Sequence, residues 1–192
     1  MSRIERTSVS TEPPWVEEVL HFWFRELDEL HWFSSNDEVD SKIRGRFLAV
    51  HERIVNSTVL DDSAPRLLLA AVIVLDQFSR NMFRGTSRAF AADSLARTLA
   101  RRVIALGSDV VMTRTERYFV YLPFEHSEDR EDQALSVRLI TQLGNEDWTR
   151  FALEHQSIIN RFGRFPHRNA ALGRTTEPDE VPFIDRSFSS QL

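Results

Sequence analysis

Three short segments of this 192-residue chain gather the side chains that could do chemistry. In the first, Asp76-Gln77-Phe78-Ser79-Arg80-Asn81-Met82-Phe83-Arg84-Gly85, Asp76 and Arg80 lie four apart. On a helix they are neighbours, able to pair with each other or with a ligand. The second, Pro123-Phe124-Glu125-His126-Ser127-Glu128-Asp129 followed by Glu131 and Asp132, packs five acids into eight residues around His126. The third, Arg161-Phe162-Gly163-Arg164-Phe165-Pro166-His167-Arg168-Asn169, crowds cations, aromatics, Gly and Pro together, and no acid lies between Glu154 and Glu177. The chemistry these types suit is capture of an anion by Arg80, Arg164 and Arg168, with His126 or His167 exchanging a proton and Glu125 assisting. Asp76, Gln77, Asn81, Arg84, Asp129, His155 and Asn169 complete the candidate ligand-binding set. If the arginine-rich turn faces the acidic segment, opposite charges meet as either a salt-bridged lock or a polar pocket.

Other chemistries find less support. Glu125 and Asp129 are four apart and His126 and Asp129 three apart, spacings at which one helix can present two ligands. Without a second Glu-x-x-His motif, no metal site is assigned. No nucleotide loop or catalytic triad is present, and no cofactor is identified. The absence of Cys removes disulfides, thiolate zinc sites and Cys nucleophiles. Of 24 basic residues Lys42 is the single Lys, in an amphipathic segment away from the three candidates, which argues against Schiff-base chemistry. A formal charge of -5 disfavours non-specific nucleic-acid binding. The longest apolar run, Leu67 to Leu75, is too short to span a bilayer, and residues 1–12 lack the apolar core of a signal peptide. A soluble cytoplasmic protein with no membrane or nucleic-acid partner is expected.

The elements that must position these residues read as helices. Val16, Leu20, Trp23 and Leu27 form one amphipathic stripe, and Ile43, Phe47, Val50 and Ile54 repeat it, with Ser35 and Glu38 offering a capping box between them. A third helix opens near Asp62-Ser63-Ala64-Pro65, runs through the all-apolar Leu67 to Leu75 as the central buried element, and ends at Gly85. Thr86 or Ser87 is placed to cap a fourth helix carrying Leu95, Leu99 and Val103. Thr113 and Glu116 make a second capping box, Pro123 should kink or stop that helix, and Ser127 should cap its continuation. A further helix starts after Asn145-Glu146-Asp147 and closes near Gly163, with His155 in an apolar slot, where a hydrogen-bonded core histidine is the structural reading. Thr176-Glu177-Pro178-Asp179 reads as the start of a short terminal helix. The expected architecture is one all-α domain over 1–192 of about seven helices in stacked antiparallel hairpins, with 1–12 and 187–192 loose.

At these same segments the chain resembles the bacterial domain-of-unknown-function family DUF924. The resemblance rests on Phe22-Trp23-Phe24 with Trp32-Phe33, on Asp76 through Gly85, on Tyr121 through Asp129, and on Arg161 through Asn169 with Leu172-Gly173-Arg174. Ser79 departs from it, since the family usually carries Pro there, a change expected to loosen a turn. The resemblance implies an all-helical, tetratricopeptide-like fold and no assigned activity. Two functions stay open: a charged His/Arg/Glu pocket binding or acting on a small anionic molecule, and a non-catalytic scaffold whose helical groove binds a peptide or protein.

Overall fold

The computed structural model describes residues 12–56 and 64–184, which form helices and connecting turns with no strand among them. Helix α1 (Pro14–His21) passes into a π-helical turn (Phe22–Glu26), and the one-turn α2 (Glu29–Trp32) follows. Val16, Leu20 and Trp23 are buried as the stripe requires, whereas Leu27 lies beyond the π turn in extended backbone and is half-buried. Trp32 donates its indole N–H to the Trp23 carbonyl at 2.8 Å, and both rings pack on Phe119. The aromatic motif is therefore structural.

Helix α3 (Asp37–Asn56) is capped by Asn36 rather than Ser35. The Asn36 side chain accepts from the backbone N–H groups of both Glu38 and Val39, while Glu38 pairs with Lys42 instead of reaching back. Helix α4 (Pro65–Ile73), a π turn (Val74–Phe78) and α5 (Ser79–Met82) form one continuous rod. The expected cap at Asp62 and Ser63 falls outside the described residues. Every side chain from Leu67 to Leu75 is at most 4 % exposed, so this rod is the buried centre anticipated from its lack of a polar face. The extra residue of the π turn rotates the helix at Asp76 and Gln77, a distortion common at functional sites. No turn exists at Ser79 to be loosened: its buried hydroxyl lies 2.9 Å from His51 Nε2 within the rod.

Gly85, at φ +74°, turns the chain after α5. The next α-helix, α6 (Asp93–Ala105), begins later than expected. Thr86 bonds back to the Phe83 carbonyl, and Ser87–Ala89 is a 3-10 turn. Helix α7 (Arg114–Glu125) has the anticipated capping box at Thr113 and Glu116. Pro123 neither stops it nor ends its hydrogen bonding, because the His126 N–H still reaches the Leu122 carbonyl at 2.9 Å. Helix α8 (Arg130–Thr141) is capped by Asp129, not Ser127; the Asp129 carboxylate accepts from the N–H groups of Glu131 and Asp132. Helix α9 (Glu146–Phe162) starts earlier than expected, at Glu146, because the Asn145 side chain accepts the Trp148 N–H as its cap, and it ends at Gly163, with φ +69°. The expected terminal helix is a single 3-10 turn (Val181–Phe183). Apart from Glu12, the two ends expected to be loose lie outside the described residues.

Consecutive helices pack on one another along the chain: α4 on α6, α6 on α7, α7 on α8, and α8 on α9. Short connections between packed neighbours make these hairpins. The ends of the central rod, α7 and α9 thereby meet on one side, and all three chemical segments lie there.

Candidate functional site

The site is built on the π turn. Asp76 is fully buried, and its two oxygens each lie 2.9 Å from His126 Nδ1. The Gln77 amide donates to it at 2.6 Å, and Arg80 sits 3.2 Å away. Burial alone would raise the Asp76 carboxyl, but Arg80 and His126 outweigh it and hold the group well below the usual carboxylate range. Burial, reinforced by Arg80 and Arg168 against the pull of Asp76, pushes the His126 imidazole down. A neutral ring facing an ionised Asp76 carries its proton on Nδ1, which leaves the lone pair on Nε2. The turn that presents His126 is clamped by buried Gln133, whose amide donates to the carbonyls of Glu125 (2.6 Å) and Ser127 (2.7 Å).

Arg80 is held by three acceptors, the Asp76 carbonyl at 2.5 Å and the Asp93 carboxylate at 3.1 and 3.2 Å. Asp93 also faces Arg168, at 3.5 Å. Arg168 is 3 % exposed, with its guanidinium stacked between the rings of Phe90 (4.6 Å) and Phe165 (4.5 Å). Among the described residues, neither its Nε nor its Nη2 has a hydrogen-bond acceptor. Burial and the Arg80 charge lower its pKa to about 10, so it remains a cation at neutral pH.

Arg168, His126, Asp93, Arg97, Glu128 and Asp129 line an open cleft of about 450 Å³. Glu125 lines a separate internal cavity of about 10 Å³ together with Gln77, His126 and His155. Burial, and then the Asp76 charge, push the Glu125 carboxyl up to about 8, so it is a neutral acid at pH 7. His155 donates Nδ1–H to the Phe151 carbonyl at 2.9 Å and lies 3.3 Å from Glu125. Burial drives its pKa to about 3. His167 lies on the far side of Phe90, in a third cavity of about 170 Å³ that Arg80 and Arg84 also line.

Several of the other sequence candidates serve as a lock. Arg164 grips Glu180 at 2.6 and 2.9 Å, and Asn169 joins the same carboxylate at 3.0 Å. Arg174 grips Glu128 at 2.8 and 3.0 Å, while Glu128 also accepts the Phe165 N–H at 2.8 Å. The arginine-rich turn thus does face the acidic segment, and these contacts take the form of a salt-bridged lock. Asn81 and Arg84 both bind Asp40, on α3 and away from the cleft. Asp129 stands at the cleft mouth but spends one oxygen capping α8. Arg80, Glu125, His126, His167 and Arg168 do converge on one neighbourhood, divided among three cavities instead of sharing one. Sequence reasoning passed over Asp93, Gln133, Glu128 and Glu180 as site residues. The signal for Asp93 was present, since it is the first acid after a run of three arginines.

Among the described residues no cluster of three or more His, Asp and Glu side chains is disposed to hold a metal ion, and no helix is long and apolar enough to cross a membrane. No curated protein matches the chain. A solved structure of a protein of unknown function, ATU0120 from Agrobacterium tumefaciens, is similar at 35% sequence identity and a TM-score of 0.83, covering 89% of this chain and 97% of that one. A profile described as a bacterial protein of unknown function (DUF924) matches residues 19–187, and the chain belongs to that family.

Proposed function

We propose that this protein binds a small oxyanionic molecule in the cleft between α6 and the turns after α7 and α9, and exchanges a proton with it through His126. The observation that carries the reading is Arg168, a buried cation at the cleft wall with two guanidinium nitrogens lacking acceptors among the described residues. Buried donors are normally satisfied, and a cation left so is suited to an incoming oxyanion. Phe90 and Phe165 hold the guanidinium plane in place before any ligand arrives, which limits the ordering entropy of binding. His126 lines the same cleft with Nδ1 fixed by Asp76, so Nε2 is the nitrogen that would take the proton. The ionised Asp76 would then stabilise the imidazolium. Glu125 stays uncharged in its internal cavity and adds no repulsion toward an anion.

Thermal melts of the wild type and Arg168→Ala, each with and without phosphate or succinate, test this reading. An anion site predicts a wild type stabilised by the anion through linkage. The variant should melt near the apo wild type and show no anion response, since removing Arg168 relieves its repulsion with Arg80. A loss of about 3 to 5 kcal/mol in the variant, as for a broken buried ion pair, with no anion-dependent shift in the wild type would refute it. That outcome would leave the tetratricopeptide-like scaffold binding a peptide or protein as the better reading.

A further inference from the structure

The cavity of about 170 Å³ beyond Phe90 is not part of the cleft, and its lining has a different chemical character. Arg80, Arg84 and His167 supply its polar groups, Ala89, Phe90, Ala171 and Ile184 its apolar walls, and among the described residues no carboxylate lines it. The cleft, by contrast, carries three acids at its wall. Arg80 is 4 % exposed and directs both terminal nitrogens away, to Asp76 and Asp93. Its Nε–H has no acceptor among the described residues, and neither does the buried Nε2 of His167. Two unmet, buried nitrogens thus belong to residues that line one small cavity with otherwise apolar walls.

We propose that this cavity is a second binding site, taking a small monocarboxylate with a short apolar tail. Charge sets the valence of the ligand. Arg80 is already balanced by Asp76 and Asp93, and Arg84 is already bound to Asp40. Among the described residues what remains is one charged N–H and one imidazole nitrogen, enough for a single carboxylate and too little for a dianion. Burial holds the His167 pKa at about 3, so the ring is neutral and donates only as the Nε2–H tautomer. The alanines, Phe90 and Ile184 leave the tail an apolar lining, and the volume limits it to a few carbons.

Isothermal titration calorimetry of the full chain with butyrate near neutral pH tests the proposal, with n-butylamine and phosphate as controls. Butyrate should bind with a Kd on the order of 1 mM, a range within reach of a ligand of that size, and n-butylamine should give no saturable heat. Ala171→Phe, which fills the cavity without touching the cleft, should weaken butyrate about tenfold or more, the loss of one well-placed apolar or polar contact. Unchanged butyrate binding by Ala171→Phe would move the ligand elsewhere and overturn the proposal. So would binding of n-butylamine as tight as butyrate, or no butyrate binding at all. Should Ala171→Phe fail to fold by circular dichroism, His167→Phe keeps the ring and removes the donor; unweakened butyrate binding there overturns the proposal equally. A phosphate response that survives in Ala171→Phe belongs to the cleft, so the two sites stand or fall separately.

Discussion

Glu125→Gln should abolish a pH dependence of stability that the wild type shows on the alkaline side of neutrality. Glu125 is 2 % exposed, and burial together with the Asp76 charge raises its carboxyl from 4.5 to about 8. The folded state keeps a proton that the unfolded chain releases, so this contribution is complete below pH 4.5 and is lost as pH rises through about 8. At about 1.4 kcal/mol per tenfold change in proton affinity, the whole displacement amounts to roughly 5 kcal/mol. The buried histidines act with the opposite sign. His155 and His167, both brought to about 3, and His126 and His51, also lowered, stay neutral when folded and gain protons on unfolding below about pH 7.5. Asp76, held below its usual range, likewise contributes stability that is lost only in acid. Above about pH 7.5 the unfolded histidines are neutral as well, these terms are nearly flat and Glu125 remains, so the wild type should lose about 1 kcal/mol between roughly pH 7.5 and 9. Urea denaturation followed by far-UV circular dichroism at several pH values gives the slope directly. Glu125→Gln, similar in shape and without a titrating proton, should be flat there. A wild type whose stability is constant or rises over the same interval, or a Gln variant that keeps the slope, would refute the neutral-acid assignment.

Gln133→Leu should lower stability by about 2 to 4 kcal/mol, because an apolar side chain without the amide strands the Glu125 and Ser127 carbonyls in the interior. Its urea midpoint should fall with the m-value unchanged, and a loss under about 1 kcal/mol would show that the clamp is dispensable. For Gly163→Ala the added Cβ meets nothing within 4 Å, so the penalty is purely that of the left-handed backbone, about 1 to 2 kcal/mol. A variant melting at the wild-type temperature would mean that the α9 terminus rearranges without strain.

What the sequence by itself determined are features whose partners lie within about four residues. The Thr113 and Glu116 box and the Gly163 terminus both form where local hydrogen bonding allows them to. Burial of Leu67 to Leu75 followed from having no polar residue to expose. Even local chemistry left ties, as at Asn36 over Ser35 and Asp129 over Ser127, because neighbouring side chains could reach the same N–H groups and tertiary contacts chose between them. Which residues are chemically unusual was legible too; what each one does was not. Arg164, Arg168 and Arg174 look alike in a basic run, yet Glu180 and Glu128 claim the first and last across 16 and 46 residues. Arg168 is left facing Asp93 at 3.5 Å with donors to spare. Glu125 and Glu128 are three residues apart, and packing makes one a neutral acid and the other an ion-pair partner. Such differences come from desolvation and from charges brought near by the fold, quantities that spacing along a chain does not contain.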